Sequence, residues 1–510
     1  MTEETSLGPD SAGHRGADAT ATSVVWISGL AFALWAFAVL AQFELIPFVR
    51  NGWAFNLWTY LPLPARWVLG IASFAFCFSS VRERAERLVD ACRAHLPGSA
   101  STSYLWAAAF AVLLTGAAWV FREREPMGDS DLLAFHAAAG WRFVFQEPGA
   151  SYWIYQAIKL GTSYGLEPFV SVSVLSCLCL GPFVFLLYGA ARSLLGESRA
   201  PVAVALVLSA GMARVFAGHV EVYAPLLVAT AFYLWTAFAH MKGRGQGWLP
   251  ALALGVTIWT HLSALMLVPS LMALPWLTED RPTVVGYGKR WVRDGLVCAA
   301  PLAVFFLLLF WAGHTEDLDR AWQRGLEVAG WSQAEVSKGW WVRGWSSYPS
   351  IGTDVIFLSL PHLKYLINAL TLLGPAAMVI LVGCGMTRPA WLGRHPEGLF
   401  LAFAAIPLLA YSCALRPFFG PLDWDLFAVT VLVLFFWALF VAQVGLANRV
   451  RTHGLIIGVV FQLCFVGVPF LWSGVAPSET SGPFGAHDEL EERQLIKERT
   501  PPPVSFDRWL

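Results

Sequence analysis

Long apolar segments recur along almost the whole of this 510-residue chain, and short connections between them carry most of its charge. A helix of about 20 apolar residues spans the hydrocarbon core of a bilayer. Because that core has no water to pair with peptide groups, a chain can cross it only as helices or as a closed barrel. Apolar segments occur roughly at residues 23–43, 61–80, 103–121, 168–191, 200–217, 222–240, 248–262, 263–277, 293–312, 366–386, 397–414, 424–446 and 454–474. We therefore predict an all-α polytopic membrane protein with about 13 transmembrane helices.

Composition agrees with a membrane location. The chain is 57% hydrophobic and 14% charged, whereas soluble domains carry about 25% charged residues. A net charge of -1 without a basic arm argues against a nucleic-acid partner. Residues 1–22 are polar and rich in small side chains, which predicts a disordered cytoplasmic N-terminus; residues 476–510 predict an external C-terminal tail.

Basic residues mark every second connection between the apolar segments. They are Arg82, Arg84, Arg87 and Arg93; Arg192 and Arg199; Lys242 and Arg244; Arg281, Lys289, Arg290 and Arg293; Arg388 and Arg394; and Arg449 and Arg451. Cytoplasmic connections carry an excess of Lys and Arg. This pattern predicts a cytoplasmic N-terminus in a bacterial-type inner or plasma membrane. It leaves open whether segments 248–262 and 263–277 are two spans or one broken pair.

The opposite connections carry nearly all the side chains that could do chemistry. They include Asp129, Asp131, Glu147, Arg214, His219, Glu221, His261, His362, Lys364, Asn368, Arg416, Asp423 and Asp425. Ionisable groups at membrane depth are costly and usually mark a function. Their concentration predicts an active site on the extracytoplasmic face.

The stretch Gly128–Trp141 places two carboxylates, Asp129 and Asp131, directly after an apolar segment and at the start of a second helical pattern. A helix lying in the membrane interface would hold these acids beside the bilayer. Two carboxylates at this spacing can share one divalent cation such as Mg²⁺ or Mn²⁺, or one of them can act as a general base. The alternative is that Asp129 or Ser130 only caps the helix.

The corner between segments 200–217 and 222–240 combines a cation, an imidazole, a carboxylate and a phenol: Arg214, His219, Glu221 and Tyr223. Almost no polar spacer separates them from the apolar segments, which favours a buried functional cluster. The alternative is a single ion pair between Arg214 and Glu221 that holds a hairpin together.

Further polar groups stand where other apolar segments begin or end, and each has a structural alternative. They are Glu147, His261, His362 with Asn368, and Asp423 with Asp425. Glu147 could mark an interfacial turn, and a lone histidine such as His261 is commonly a satisfied core residue. The pair His362 and Asn368 either binds a headgroup or marks the start of a helix. Asp423 or Asp425 would suit a helix N-terminus.

The order of these features resembles the GT-C superfamily of polytopic glycosyltransferases, which use polyprenyl-phosphate-linked sugars, and within it the mannosyltransferase and ArnT-like branch. The resemblance rests on the acidic Gly128-Asp129 in the first large external loop, Glu147-Pro148, Gly218-His219-x-Glu221-x-Tyr223 and Asp423-Trp424-Asp425. It implies interfacial helices in that loop. It divides the chain into two extra N-terminal helices with a basic loop (23–101), a seven-span catalytic module (102–312), an external loop (313–355) and C-terminal transmembrane helices (356–475).

The resemblance also implies a reaction. A sugar would move with inversion from a polyprenyl-phosphate donor to a glycan, lipid or protein acceptor. Asp129, or else Asp131, would take the proton of the acceptor hydroxyl. Cations would neutralise the donor phosphate as it leaves, and the candidates are Arg214, His219, Lys364 and Arg416. Glu147, Glu221, Tyr223, His261, His362, Asn368, Asp423 and Asp425 would bind substrate.

Two other functions remain open at the level of sequence. An O-antigen polymerase or ligase would also use a polyprenyl-linked donor with external Arg and His residues. A transporter of a lipid-linked or small polar substrate would need ionisable residues near the bilayer midplane, often at broken helices. The short segments around His261 are the best support for transport.

Overall fold

The computed structural model describes residues 10–43, 45–46, 54–95, 100–124, 137, 140–278, 283–328, 349–350, 353–354, 360–385, 395–414, 420–446 and 448–475. Its α-helices are α1 Asp10–Gln42, α2 Leu63–Ala75, α3 Ser79–His95, α4 Ala100–Val120, α5 Pro148–Ser163, α6 Pro168–Leu195, α7 Ala200–Leu208, α8 Tyr223–Met241, α9 Leu249–Thr260, α10 Val268–Thr278, α11 Val284–Trp311, α12 Thr315–Val328, α13 Leu360–Leu373, α14 Pro375–Gly385, α15 Pro396–Ala414, α16 Ala428–Gly445, α17 Asn448–Gln462 and α18 Val468–Val475.

Short irregular helices and one small ladder complete the described part of the chain. The 3₁₀ turns are Leu57–Tyr60, Gly211–Phe216, Leu262–Leu267 and Gly420–Phe427, and Leu463–Gly467 is a π-helical turn between α17 and α18. Strands β1 (Pro349–Ser350) and β2 (Thr353–Asp354) form a two-residue antiparallel pair. The protein is therefore an all-α polytopic membrane protein, as the apolar pattern predicts.

Fewer full-length spans occur than the sequence predicts. Within the described residues, eight helical stretches are long and apolar enough to cross a membrane: Val25–Gln42, Thr102–Val120, Pro168–Leu195, Tyr223–Met241, Val284–Trp311, Pro396–Ala414, Trp424–Gly445 and Val450–Val475. Two pairs reach this length only together, α2 with α3 at a bend of 89° and α13 with α14 at a bend of 105°, which allows up to ten. The described residues thus hold eight to ten such spans, compared with the about 13 predicted, and several of the remaining segments form shorter or broken helices.

The breaks have local causes. At the bend between α13 and α14, Pro375 disfavours the α-helical conformation of the residue before it. That residue is Gly374, where a Cβ atom would lie 2.6 Å from Val431 Cγ1 on α16. Between α9 and the next 3₁₀ turn, His261 is extended, with φ -157° and ψ 130°. Segments 248–262 and 263–277 are therefore two short helical pieces.

The predicted span 200–217 is also interrupted. The chain nevertheless runs back alongside α6 in this segment. Helix α7 has only 9 residues and is followed by the 3₁₀ turn Gly211–Phe216. Beyond this turn, the carbonyl oxygens of Gly218 and His219 accept hydrogen bonds from Ser173 and Ser176, near the start of α6. The loop 217–222 thus lies at the end of the bundle where α6 begins, which we call the site end.

The core is centred on α16. Of its span, 83% is buried inside the protein, compared with 61% for α8 and 50% for α6. The spans of α4 and α11 are only 11% and 22% buried. A helix that is apolar all round belongs in the middle of a bundle, whereas apolar side chains left exposed on α4 and α11 suit contact with lipid.

Basic side chains meet at the opposite end of the bundle. Arg199, which follows α6, and Arg451 on α17 both donate to Gln443 Oε1, at 2.5 and 2.7 Å. Lys242, at the end of α8, pairs with Glu397 at the start of α15. Three of the basic connections that the sequence places on one side of the membrane therefore do lie at one end of the fold.

Several segment boundaries differ from the sequence prediction. Helix α1 begins at Asp10, inside the segment expected to be disordered, because its alternating Ala residues have high helix propensity. The basic segment after the second span forms α3, where the buried Arg82 donates to the carbonyl oxygens of Phe76 and Cys77. Helix α12 occupies the start of the expected external loop 313–355. The tail 476–510 lies outside the described residues.

Candidate functional site

A buried ion pair joins the segment after α4 to the 3₁₀ turn before the corner. Glu123 and Arg214 are 2% and 1% exposed, and Arg214 Nε donates to Glu123 Oε1 at 2.6 Å. The guanidinium also donates to the Phe470 carbonyl and to Ser473 Oγ, and it lies 4.2 Å from the Phe470 ring centroid. The alternative prediction of an ion pair between Arg214 and Glu221 is therefore wrong, because the carboxylate that pairs with Arg214 is that of Glu123.

His219 lies between two carboxylates. Its Nδ1 is 2.8 Å from Glu123 Oε2, and its Nε2 is 3.0 Å from Asp425 Oδ2. The ring also packs against the Trp424 indole, with centroids 5.0 Å apart. The structure thus brings together residues from the first external loop, from the corner and from the later Asp-Trp-Asp motif.

The backbone around His219 is held from three sides. Glu123 N donates to the Ala217 carbonyl at 2.8 Å. Ser173 Oγ and Ser176 Oγ donate to the carbonyls of Gly218 and His219 at 2.8 and 2.6 Å. Gly218 has φ +73°, a left-handed conformation that suits glycine, and a Cβ there would lie 2.7 Å from Arg122 Cβ. Only glycine lets this loop approach α4 so closely.

Opposite charges set the protonation of the buried pair. Burial alone would raise the pKa of Glu123, but the charges of His219 and Arg214 and their hydrogen bonds hold this pKa at about 2. Burial alone would lower the pKa of His219, but Glu123 and Asp425 raise it to about 9. Near neutral pH, Glu123 is therefore a carboxylate and His219 an imidazolium.

Three of these side chains have the composition of a metal site. Ligand atoms of His219, Glu221 and Asp425 all lie within 4.8 Å of one another, and all three residues are buried. Two ligands of a tetrahedral ion at 2.0–2.1 Å are about 3.3 Å apart, so modest shifts would suffice for a divalent cation. In that state Glu123 would orient the imidazole through Nδ1, as carboxylates commonly do behind a ligating histidine.

A second cluster of polar side chains, formed by His261, Tyr223 and Glu147, lies at the site end beside the first cluster. The His261 and Tyr223 rings have centroids 5.8 Å apart, and His261 Nε2 is 3.8 Å from Glu147 Oε2. His261 Nδ1 accepts a hydrogen bond from Ser263 N at 3.0 Å. His261 therefore caps the 3₁₀ turn after α9 and also faces a carboxylate, so the structural and functional interpretations of this residue are compatible.

Helix α5 lies across the site end. It begins at Pro148, beside the end of α9, where a Cβ on Gly149 would lie 2.8 Å from the Trp259 carbonyl. Near its other end, Gly161 packs against Ser171 at the start of α6. Because both ends of α5 meet the same end of the bundle, the helix lies along that end and not along the length of the bundle.

Other residues that the sequence singles out lie apart from the cluster or outside the described residues. Asp129, Asp131 and Arg416 lie outside them, as does the side chain of Asp423. Lys364 is exposed on α13. His362 is fully buried on the same helix. The Asn368 amide accepts from Ala54 N and donates to the Lys364 carbonyl, so it fastens the segment before α2 to α13.

Sequence reasoning missed Glu123 as a site residue. In the sequence it stands in the charged run Arg122-Glu123-Arg124-Glu125, which looks like a solvated membrane boundary. Glu123 is buried, whereas its neighbour Arg124 is exposed. The sequence contained one indication that Glu123 is a site residue, namely its position, because Glu123 is nearer to the end of an apolar segment than Asp129 is.

Comparison with known proteins gives little independent guidance. No known protein family matches the sequence, and no curated protein matches it. Among solved structures, the fold is similar to the crystal structure of ArnT from Cupriavidus metallidurans bound to undecaprenyl phosphate, with 15% identity and a TM-score of 0.47, over 79% of this chain and 82% of that chain. At this identity and TM-score, the likeness assigns neither a family nor a function.

Proposed function

We propose that this protein is a GT-C-type membrane glycosyltransferase. It moves a sugar from a polyprenyl-phosphate donor to an acceptor hydroxyl at the extracytoplasmic face. The observation that carries the proposal is the convergence of Glu123, Arg214, His219, Glu221 and Asp425, all buried, at one end of a membrane helix bundle. Buried ionisable groups of both signs are costly unless a function retains them.

The reaction needs a base, a cation and a dry site. The acceptor oxygen attacks the anomeric carbon, its bond to the donor phosphate breaks, and polyprenyl phosphate leaves. A carboxylate takes the acceptor proton, with Asp129 as the first candidate and Asp131 as the second. Attack opposite the leaving phosphate inverts the configuration. A site that excludes water strengthens each electrostatic contact.

Cations stabilise the negative charge that grows on the leaving phosphate. The candidates Arg214 and His219 carry positive charge in the buried cluster. Lys364, which is exposed on α13, and Arg416 are the further candidates. Glu123 acts as a positioning residue, since it contacts both Arg214 and His219. The remaining substrate contacts come from Glu147, Glu221, Tyr223, His261 and Asp425.

A divalent cation has two candidate positions in this reaction. One is the Asp129–Asp131 pair that the sequence suggests for Mg²⁺ or Mn²⁺. The other is His219, Glu221 and Asp425, whose mixed imidazole and carboxylate donors suit a transition metal better than Mg²⁺. In either position the ion would neutralise donor phosphate charge.

The basic residues support an extracytoplasmic position for the cluster. Arg199, Lys242 and Arg451 lie at the end of the bundle opposite the cluster. Lys and Arg favour the cytoplasmic side, which supports an extracytoplasmic site in an inner or plasma membrane. Transport is the second candidate, but the ionisable cluster stands where helices begin and end and not within them, unlike the midplane sites of transporters.

A donor screen tests the proposal. Purified protein in lipid nanodiscs is incubated with a panel of polyprenyl-phosphate-linked labelled sugars and a cell-envelope lipid and glycan extract, and polyprenyl phosphate release is measured. We expect one donor to be consumed, with loss of about 100-fold or more in Asp129→Asn and little change in Asp319→Asn, an exposed acid at the same end.

Two results would count against a transferase. One is that no donor is consumed by protein that is folded and monodisperse. The other is substrate uptake by proteoliposomes without release of polyprenyl phosphate, which would favour a transporter. Repeating the assay after chelation, then with Mn²⁺ or Mg²⁺ restored, in Asp425→Asn and Asp131→Asn separates the two metal positions.

A further inference from the structure

Two arginines converge on one neutral side chain at the end of the bundle opposite the site end, which we call the basic end. Arg199 Nη1 and Arg451 Nη1 donate to the same oxygen, Gln443 Oε1, at 2.5 and 2.7 Å. Arg451 Nη2 also donates to the Leu446 carbonyl at 2.7 Å. Guanidinium groups keep their positive charge in proteins, so two cations share one uncharged acceptor here. We call Arg199 and Arg451 the arginine pair.

Arg451 is buried without a counter-charge among its described neighbours. The residue is 8% exposed, and its Nε is buried and has no hydrogen-bond partner in the part of the chain that the structure describes. Among the described residues, the charged side chain that acts on it is Arg199, which has the same sign. Burying a charge is costly unless an opposite charge pairs with it. An anion beside Arg451 would therefore be stabilising.

Carboxylates at the basic end pair with other basic side chains. These contacts are Glu86 with His453 at 3.1 Å, Glu197 with Arg192 at 3.1 Å, and Glu397 with Lys242. None of these three carboxylates is thus the counter-ion of Arg451. The compensating anion would have to come from outside the described chain.

Two helix N-termini add to the positive potential around the arginine pair. Helix α7 begins at Ala200, directly after Arg199, and no side-chain hydrogen bond caps it. Helix α17 begins at Asn448, three residues before Arg451, and neither helix has an acidic residue in its first turn. The N-terminus of a helix carries a partial positive charge and favours anions. Both helices therefore favour the same negative ligand.

The arginine pair lies beside an apolar surface. Arg199 and Gln443 are half-buried, so they are nearer to the surface than Arg451. Since the Gln443 oxygen serves the two arginines, its amide NH₂ group can donate to a ligand. Next to them, Pro201 and Ala205 on α7 and Val444 on α16 are exposed. Basic pockets between membrane helices are typical sites for the phosphate groups of anionic lipids.

We propose that the arginine pair binds the phosphate of an anionic phospholipid between α7, α16 and α17. Arg199 and the Gln443 amide contact the phosphate oxygens, and Arg451 contributes its charge from a deeper position. The acyl chains lie along the exposed apolar residues of α7 and α16. In the orientation proposed above, this lipid belongs to the cytoplasmic leaflet. The site is separate from the candidate site for sugar transfer and does not depend on that function.

Lipid binding can be measured by native mass spectrometry of the purified protein released from nanodiscs. The probes are phosphatidylglycerol, which is anionic, and phosphatidylcholine, which carries its own cation. We expect the wild type to retain phosphatidylglycerol with a preference of about 10-fold or more. Arg199→Gln should lower this affinity about 10-fold, because it removes a charge-assisted contact with phosphate. Arg244→Gln removes an exposed arginine at the same end and should leave the affinity unchanged.

Gln443→Glu tests the missing counter-charge directly. The change keeps the shape of the side chain and places a carboxylate between the two arginines. We expect a higher thermal midpoint in phosphatidylcholine nanodiscs and loss of the preference for phosphatidylglycerol. Gln246→Glu adds the same charge at an exposed position of the basic end and should do neither. Because the expected result is a gain in stability, a folding defect cannot imitate it.

Four outcomes would overturn the inference. They are equal affinities of the wild type for the two lipids, equal losses in Arg199→Gln and Arg244→Gln, a Gln443→Glu protein that is less stable or keeps the preference, and displacement of phosphatidylglycerol by millimolar inorganic phosphate. The last result would assign the arginine pair to a soluble phosphate and not to a lipid. Sugar transfer enters none of these measurements, so a failed donor screen refutes only the transferase.

Discussion

Glu123 and Arg214, 91 residues apart in the sequence, form a buried ion pair with an Nε–Oε1 distance of 2.6 Å. The pair ties the end of α4 to the 3₁₀ turn Gly211–Phe216, and α18 covers it: a Cβ on Gly474 would lie 3.0 Å from Arg214 Nη2. Because His219 contacts the other oxygen of Glu123, this one carboxylate organises both cations of the site.

Removing one partner of this pair should destabilise the protein strongly. Glu123→Gln or Arg214→Met removes one partner of a buried ion pair, which typically costs about 3–5 kcal/mol. The double variant should cost less than the sum, because neither charge then remains. The measurement is a double-mutant cycle of unfolding free energies in detergent. As a control, the same cycle is run with Arg214→Met and Glu221→Gln, and its coupling free energy should be smaller. A larger coupling free energy in this control would mean that Glu221, and not Glu123, is the partner of Arg214.

The buried pair should also make stability depend on pH. The folded-state pKa of His219, about 9, lies above its ordinary 6.5, so its contribution is present below pH 6.5 and is lost as pH rises through 9. The pKa of Glu123, about 2, lies below its ordinary 4.5, so its contribution is present above pH 4.5 and is lost as pH falls through 2.

Thermal midpoints measured over this pH range test the contributions of both His219 and Glu123 to stability. Since other groups also titrate, the informative quantity is the difference between wild type and His219→Gln. We expect this difference to be largest between about pH 4.5 and 6.5 and to shrink towards pH 9. A difference that stays constant up to pH 9 would mean that His219 is neutral in the folded protein.

Gly218→Ala should damage the site through the backbone. A left-handed conformation costs a residue with a Cβ about 1–2 kcal/mol, and at this position the Cβ would also meet Arg122 Cβ at 2.7 Å. The matched control is Gly243→Ala, which has φ +69° but no atom within 4 Å of its Cβ. We expect a larger drop in thermal midpoint for Gly218→Ala. Equal drops would show that the loop shifts freely away from α4.

Asp129→Asn separates a base from a helix cap. A cap needs only an oxygen acceptor, so the change should cost at most about 1 kcal/mol of stability. A base must accept a proton, which an amide cannot do, and losing one costs roughly 100- to 10,000-fold in rate. We expect a folded, donor-binding protein with almost no sugar transfer. Near-normal turnover would leave Asp129 as a cap and make Asp131 or Glu221 the stronger candidate.

Cysteine labelling in intact cells tests the orientation. Asp319 on α12 lies at the site end, and Gln246, between α8 and α9, lies at the basic end; both are exposed. A membrane-impermeant maleimide should label Asp319→Cys in intact cells, and Gln246→Cys only after permeabilisation. The parent protein with its native cysteines sets the background. Reversed labelling would place the candidate site in the cytoplasm and rule out an extracytoplasmic transferase.

Hydropathy and charge determine the class of this protein without reference to its tertiary structure. Burial of apolar side chains in lipid depends on local composition, so all-α membrane helices follow from the sequence alone. The grouping of Arg214, His219, Glu221 and Asp425 at one end also follows, because residues in alternate connections must return to the same side. The number of continuous spans does not follow, because a composition window cannot detect a break such as His261, whose N–H donates to the Thr257 carbonyl and whose carbonyl accepts from Ala264 N.

The identity of ionic partners was decided only by tertiary structure. Arg214 has Glu221 close by in the sequence, yet its carboxylate partner is Glu123, because the turn Gly211–Phe216 and the end of α4 converge in the folded bundle. Likewise, His219 contacts Asp425, which lies 206 residues away in the sequence. A Coulombic contact depends on the distance between side chains in space, and for groups on different helices that distance is set by packing and not by separation along the chain.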